Sequence, residues 1–512
     1  MSELPSGVLA SNGALAMVET GGNQAYIFGS NRLRENLGAS ELVRQVCTDW
    51  VDDAISGVDH AQKIVATSGR AIVFFPDEES ARRFVFEVTR RALSNAPGLA
   101  VGGAVVAWAA GDRFPEVVGD LSARCEAAAA ANPPALRFLG APILATCDST
   151  GRPAEAMVAS VGGKIRPLSA VASAKRRVAL AAEQRLQDVF RLDRLGIAEM
   201  EEGVRGESRG DATPRLAIVH ADGNRIGQAF ITLAGESTDD PDTQMRAYEA
   251  LSAGLDDATA GAVLDAIAAV RSDGDGDDTW TLLVPLVVAG DDLTFLCDAR
   301  LALDLTVTLL RSFEKLTTRV LAEICETFGR QDLPERFSMG AGIALVKPHY
   351  PFHLSYTLAE DLATGAKAAA RAAAGSDLSG MASTLDVHLV SDGATMTVDS
   401  IRARRSSIDG TISLRGGPYV VGETANAGLR PIEDLFQAIA SLNEEVDGHR
   451  VISASKVNRA RWALFDGHDV TDVPDDLIRS RTGADGSKSV VLLDALELAD
   501  YWSAPGADEV GS

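Results

Sequence analysis

Asp291 and Asp292 are adjacent carboxylates at the tip of a predicted hairpin. An apolar run, PLVV from Pro285, meets Ala289-Gly290-Asp291-Asp292, and a second β-rich run, LTFL, follows at once. Gly290 supplies the backbone freedom that a tight turn requires. Asp and Gly are ordinary turn formers, so on its own the pair reads more often as a solvated turn. What gives it a chemical reading is a third carboxylate. The segment RLAIVH (Arg215 to His220) reads as a buried strand, and it runs into Ala221-Asp222-Gly223-Asn224-Arg225-Ile226-Gly227. A strand ending in Asp, a Gly-rich turn and a helix start form an anion cradle, with the backbone of Gly223, Asn224 and Gly227 facing phosphate and Gly290 close by. Asp222 and Asp291 on neighbouring strand ends would share divalent cations. Hard oxygen ligands suit a two-metal site of Mg²⁺ or Mn²⁺ bridging to substrate phosphates, with Asp292 orienting a ligand or water.

Two similar halves are predicted to carry these residues. In residues 1–168, strands are expected at Leu15–Thr20, Lys63–Thr67, Ala71–Phe75 and Leu99–Trp108, with helices at Tyr26–Asp53, Glu78–Leu93 and Glu116–Ala131. Residues 213–390 repeat the order: strand Leu216–His220, helix Thr243–Arg271, hairpin Thr279–Asp298, helix Leu301–Phe328, strand Phe337–Val346 and helix Tyr356–Ala374. Both read as βαββαβ, so the fold class is α+β with two ferredoxin-like domains. Residues 169–212 read as a helical connector ending in the polar linker EEGVRGESRGDA, and 391–512 as a mainly helical C-terminal domain. VETGGNQ matches VHADGNR and ATSGRAIVFF matches VVAGDDLTFL; where the second half has Asp222 the first has Gly21, and where the second has Asp291-Asp292 the first has Gly69-Arg70. The first half is thus expected to have kept the fold and lost the metal site.

Composition limits what the chain can be. Its 512 residues are 46% hydrophobic, enough for several packed cores. No apolar run reaches the ~18 residues of a membrane span, and Met1 to Gly13 lacks a signal-peptide pattern, so a cytoplasmic protein with no membrane partner is expected. Five cysteines without a C-x-x-C pair support neither a disulfide framework nor a zinc site. A net charge of −24 argues against a free-standing nucleic-acid binder, without excluding a local basic groove. The runs Glu236–Asp242 and Ser272–Asp278 read as solvated loops. Lys175-Arg176-Arg177 reads as a solvated helix face, with phosphate contact the lesser alternative. For KPHYPFH (Lys347–His353), a rigid loop with packed aromatics is favoured over a metal pair at His349 and His353. Lys367 and Arg371 share one helical face at four-residue spacing.

HADGNRIGQAF, VVAGDDLTFLC, MGAGIALVKPHYPF and YTLAEDLATGAKAAAR, in that order, resemble the second palm domain of the large subunit of type III CRISPR effector complexes, a family related to GGDEF nucleotide cyclases. VETGGNQAYIFGSNRLRENLGASELV is similar to the opening of that family's first palm. The resemblance covers about residues 14–390. It implies ATP or another NTP as substrate, cyclic oligoadenylate as product in antiviral defence, and protein subunits and guide or target RNA as partners. It also implies that Lys367, and with less specificity Arg371, hold a triphosphate, that the KPHYPFH loop lies near the nucleotide, and that the C-terminal domain meets neighbouring subunits. The family's nuclease precedes the first palm. His468-Asp469 is therefore read as chance, and a reduced form without HD-type activity is expected. Ala289 departs from the family's Gly-Gly-Asp-Asp, and its methyl could crowd the turn. A non-catalytic nucleotide-binding scaffold and a diguanylate-type cyclase remain as alternative readings.

Overall fold

The computed structural model describes residues 12–131, 140–159, 165–197, 200, 215–235, 240–272, 283–375, 381–390, 412–422, 428–446, 449–465, 481–482 and 488–502. The linker 201–212, most of the two acidic loops and His468-Asp469 lie outside them. The first palm runs β1 (Gly13–Gly21), α1 (Asn23–Ile27), α2 (Leu33–Cys47), α3 (Asp49–Ile55), β2 (Gln62–Thr67), β3 (Arg70–Phe75), α4 (Glu78–Asn95), β4 (Ala100–Trp108) and α5 (Phe114–Ala131). Its sheet is antiparallel in the order β2-β3-β1-β4, the ferredoxin-like arrangement expected. Strand alternation explains the layers. Ala14, Ala16 and Val18 of β1 join the core that includes Phe84 and Val88 of α4, whereas Leu15 and Met17 join the core that includes Phe114 and Leu121 of α5. The single helix predicted over Tyr26–Asp53 is three pieces. Its first break holds Gly29 and Ser30, whose hydroxyl donates to buried Glu35 at 2.6 Å and accepts from the Arg32 amide at 3.2 Å.

A hairpin, β5 (Ala156–Ala159) with β6 (Ile165–Leu168), and helix α6 (Ala170–Phe190) lead toward the second palm. Of the run expected to be a solvated face, Arg176 and Arg177 are exposed and Lys175 is not. Lys175 is 1% exposed, donates to the Tyr26 carbonyl and sits over its ring, while Arg176 bonds Glu35 at 2.8 Å. Arg176 reaches inward from the surface because Glu35, 0% exposed, needs a cation.

The second palm comprises β7 (Leu216–Gly223), α7 (Ile226–Gly235), α8 (Pro241–Ser272), β8 (Leu283–Ala289), β9 (Asp292–Asp298), α9 (Ala302–Phe328), β10 (Met339–Val346) and α10 (Phe352–Ala374). Its strands stand in the order β10-β7-β9-β8, the same topology as the first palm. The sheet continues beyond β10 through β11 (Thr384–Leu389), and then through the short strands β13 (Tyr419–Val420) and β14 (Arg430–Pro431). Between β11 and β13 lies β12 (Ile412–Ser413), part of a separate small sheet. C-terminal residues thus extend the second palm, and a buried ion network is sealed to it through Arg415, which donates to the Val387 carbonyl of β11. Asp494, 1% exposed, accepts from Arg415 (2.8 Å), the Gly416 and Gly417 amides (2.9 and 3.2 Å) and the Tyr419 hydroxyl (2.7 Å). Helices α11 (Ile432–Asn443), α12 (Ala454–Phe465) and α13 (Leu492–Leu498) complete this region.

Candidate active site

Antiparallel pairing brings the three predicted carboxylates together. Asp222, next to last in β7, pairs with Asp292, the first residue of β9, and Asp291 occupies the turn before it. The Gly223 amide donates to the Asp291 carbonyl at 3.1 Å, closing the strand end against the turn. Gly223 has to be glycine here. A Cβ at this position would lie 2.7 Å from Asp291 Cβ and 2.9 Å from its Oδ2. Gly290 sits at φ +58°, a backbone conformation that L side chains seldom adopt. The Ala289 methyl packs partly into the core, so the departure from a double glycine is accommodated on the inner side of the turn.

A close helix-to-sheet approach delivers the cation. Gly340 of β10 lies opposite Asp222, and a Cβ there would meet Lys367 Cγ at 2.2 Å; at Gly342 it would meet the Ala359 carbonyl at 2.1 Å. These two bare positions let α10 press on the sheet. The Lys367 ammonium consequently reaches across to Asp222 and donates to the Gly223 carbonyl at 2.8 Å. Arg371, one turn on, is exposed.

Burial and like charge dominate the electrostatics. Burial first, and then the Asp222 charge, push Asp291 up to about 6. The same causes, with Asp291 and Glu360 added, push Asp292 up to about 7. Lys367 opposes both shifts. The Asp292 side chain is 38% exposed overall, yet its Oδ1 is buried without a hydrogen-bond partner, 3.6 Å from His220 Nδ1. His220 bonds Thr294 at 3.1 Å and is depressed to about 4, chiefly by burial. Beside it stands Tyr356, whose buried hydroxyl also has no partner and whose ring meets His220 edge-on at 5.5 Å.

Among the described residues, no group of three His, Cys, Asp or Glu is arranged to hold a metal ion by itself. The donor set nevertheless fits Mg²⁺ or Mn²⁺. It is all carboxylate oxygen, it includes the orphaned Asp292 Oδ1, and Mg²⁺ commonly takes one or two carboxylates with the rest of its shell from water and substrate phosphates. The His349 and His353 pair gains no such support. His353 lies 3.5 Å from Asn31 Oδ1, and Phe352 and Tyr356 stack on Phe28 of the first palm at 5.6 and 3.9 Å, as a packed rigid loop would. A cavity of about 510 Å³ opens there, lined by Gln24, Phe28 and Ser30 of the first palm and His353, Tyr356 and Glu360 of α10.

Residues 215–374 match the family model of the Cas10/Cmr2 second palm domain. Over these residues the chain is similar to the second palm domain of the type III CRISPR large subunits. No curated protein matches the sequence. Solved structures similar to it include the Csm1–Csm4 cassette in complex with AMPPNP (TM-score 0.51), with pppApApA (0.52) and with cA4 (0.50). Each is 13% identical; the matches cover 96% of this chain and 69–70% of the other. At that identity the likeness is one of fold, and it spans both palms.

Within this palm, Asp222, Gly223, Gly290, Asp291, Asp292 and Lys367 stand together as expected. Asn224 is turned inward. It is 5% exposed, and its amide and side chain bond Ser338 at 2.8 and 3.0 Å, so it holds the loop to β10. The Gly223 and Asn224 amides are therefore committed. Those of Arg225, Ile226 and Gly227 stand at the start of α7, where a helix supplies no internal acceptors, and a Cβ at Gly227 would meet open space. Sequence reasoning missed Asp256 and Thr259 of α8. The Gly290 amide donates to Asp256 at 2.7 Å, and Thr259 donates to the Gly290 carbonyl. Burial raises Asp256 to about 6. Nothing local in α8 marks these residues, because their partner is 34 positions from Asp256 and 31 from Thr259.

The structure also corrects the alignment of the two halves. Asp222 pairs with Asp292, and the residue paired with Arg70 is Glu19, not Gly21. The Thr20 amide donates to Gly69 as the Gly223 amide does to Asp291, which confirms that Glu19 is the counterpart of Asp222. Matching on the Gly-Asn loops shifted the comparison by two residues. The first palm has therefore kept one carboxylate and set Arg70 against it, 2.9 Å away.

Proposed function

We propose that the chain is a metal-dependent nucleotidyltransferase that joins ATP into cyclic oligoadenylate-type messengers, as the large subunit of a type III CRISPR effector or as a standalone synthase. The observation that carries this reading is the convergence of Asp222, Asp291 and Asp292 at the Gly223 constriction, with Lys367 held on Asp222 by the bare positions of β10. Clustered, partly buried carboxylates are costly unless a cation uses them. That the Csm1–Csm4 cassette has been solved with AMPPNP, pppApApA and cA4 supports an adenine nucleotide and a cyclic product. Protein subunits, guide and target RNA, and a cytoplasmic setting belong to the same proposal.

Asp222 and Asp291 would hold Mg²⁺ or Mn²⁺, which when bound activates an attacking hydroxyl and neutralises the departing pyrophosphate. Lys367 then turns from Asp222 to the triphosphate, and the amides of Arg225 to Gly227 face phosphate oxygens. Asp292, with Oδ1 directed inward, orients a ligand or water. The cavity lined by Gln24 and Ser30 of the first palm and by His353 and Glu360 of α10 gives a second nucleotide room to approach from the first palm, whose Glu19 is already paired with Arg70.

The test is a product assay with each labelled NTP and Mg²⁺ or Mn²⁺, with and without RNA, beside the Asp291→Ala, Asp292→Ala double variant. Oligonucleotide that disappears in the variant is the expected result, and RNA dependence separates complex subunit from standalone enzyme. Metal-dependent nucleotide binding without any product would replace this reading with a sensing scaffold, in which Lys367 serves as the permanent counter-ion of Asp222.

A further inference from the structure

The tip of the β8–β9 hairpin is held from outside the sheet. Asp256 Oδ1 accepts from the Gly290 amide at 2.7 Å, while the Thr259 hydroxyl, on a residue 1% exposed, donates to the Gly290 carbonyl. One peptide unit is thus gripped at both of its polar groups by residues one helical turn apart on α8. The helix has little freedom of its own. Gly254 and Gly261 let it lie against α9, where added Cβ atoms would meet Val320 at 2.4 Å and Leu316 at 3.0 Å. Two turns before the grip, α8 enters the first palm. Met245 is part of the core built on Leu15, Met17 and Trp108; Tyr248 meets the Phe114 ring edge-on at 5.7 Å, and its hydroxyl bonds Arg70.

We propose that Asp256 and Thr259 are positioning residues for the transfer reaction: they fix the Asp291–Asp292 tip relative to Asp222, and α8 is the strut that refers this position to the first palm. The proposal rests on the catalytic reading above for its consequence, though the grip itself can be measured without catalysis. Both carboxylates follow Gly290 directly. A peptide released at Gly290 would let Asp291 swing about the flexible glycine and away from Gly223. Misplacement by about 1 Å is enough to lower a rate by on the order of 10²-fold. Asp256 acts here as a hydrogen-bond acceptor and its charge is immaterial, so an amide in its place should serve.

The experiment compares Asp256→Ala, Asp256→Asn and Thr259→Val in the full chain. Hydrogen exchange of the peptide carrying Gly290 reads the grip, and kcat against KM for product formation reads its consequence. Asp256→Ala should speed exchange at Gly290 and lower kcat about tenfold or more with KM within about threefold. Asp256→Asn should restore both to near the wild-type level. Thr259→Val, which leaves Asp256 in place, should show the same pattern more weakly. Asp256→Asn behaving like Asp256→Ala would mean that the carboxylate acts by charge and would overturn the proposal. So would faster exchange with unchanged kcat. Should the wild-type chain make no product at all, the catalytic reading fails, and unchanged exchange at Gly290 in Asp256→Ala would sink the grip separately.

Discussion

The two palms share a strand order and a register and differ at four equivalent positions. Glu19 faces Arg70 where Asp222 faces Asp292, Gly69 stands where Asp291 stands, and Ala129 stands where Lys367 stands. The last equivalence follows from packing. A Cβ at Gly102 would meet the Cys125 carbonyl at 2.3 Å and Ala129 Cβ at 3.4 Å, just as one at Gly340 would meet the Ala363 carbonyl at 3.0 Å and Lys367 Cγ at 2.2 Å. The turns show how little separates the two. In the second palm the glycine takes positive φ at the first turn position, Gly290, and leaves the second to Asp291. In the first palm the glycine, Gly69 at φ +109°, occupies the second position itself. Moving one glycine by one residue removes a carboxylate, and the Arg70 guanidinium then neutralises Glu19 from within the fold. One palm satisfies its carboxylate with a side chain, and the other keeps three carboxylates against one lysine.

The comparison can be broken by making the second palm resemble the first. Asp292→Arg sets a guanidinium opposite Asp222, as Arg70 is set opposite Glu19. Product formation should fall on the order of 10³-fold or more, while the chain stays folded by circular dichroism. Lys367→Ala, which copies Ala129, leaves the carboxylates in place and removes the triphosphate contact proposed for Lys367, so a smaller loss is expected. It should lower kcat/KM by about 10- to 100-fold, mostly through KM, and a loss confined to kcat would contradict a binding role. Gly340→Ala and Gly102→Ala form a matched pair. Each forces a helix off its sheet and should lower stability by about 1–3 kcal/mol in denaturant melts. Only Gly340→Ala should lower activity more than its unfolded fraction explains, because only there does the displaced helix carry Lys367.

Much of this was legible in the sequence because it is local. Strand-length apolar runs ending in AGDD and ADG gave the hairpin, the strand end and their carboxylates, and a four-residue spacing gave Lys367 and Arg371 one face. What was not legible depends on register between distant strands. The Glu19–Arg70 pair is 51 positions apart, and the alignment by loop motif missed it because the two strands end two residues differently relative to their Gly-Asn turns. Asn224 read as a ligand contact from its place in a Gly-rich turn, while its partner, Ser338, became visible only when β10 was laid beside β7. Asp256 and Thr259 sat in a helix whose own pattern gave no reason to choose them. The strand at Arg430–Pro431 was missed because at two residues it carries no periodicity.

The smallest expected effect is the one that weighs the charge imbalance directly. In metal-free protein, Asp291 and Asp292 titrate near 6 and 7 and Asp256 near 6, all above their ordinary 3.8. Between 3.8 and those values the folded chain holds protons that the unfolded chain has released. Folding stability therefore falls as pH rises through this window. His220 works in the opposite sense, because its depressed value near 4 makes the folded form hold fewer protons than the unfolded one up to about 6.5. Within the site, three carboxylates against one imidazole leave a net fall. Outside it Cys147, where burial is outweighed by hydrogen bonds from its neighbours that draw it down to about 6, adds an opposing rise above pH 6, so the melts are made in a Cys147→Ser background. Thermal melts from pH 4.5 to 8 should show Tm declining into neutrality. Mg²⁺ or Mn²⁺ should recover the loss above pH 6.5 and do little at pH 5, where Asp291 and Asp292 remain protonated. Asp292→Asn should flatten the decline between pH 6 and 7 and blunt the metal's effect. A metal-free Tm that rises steadily to pH 8 would mean that Lys367 already balances the cluster as Arg70 balances Glu19, and the contrast between the palms would reduce to geometry alone.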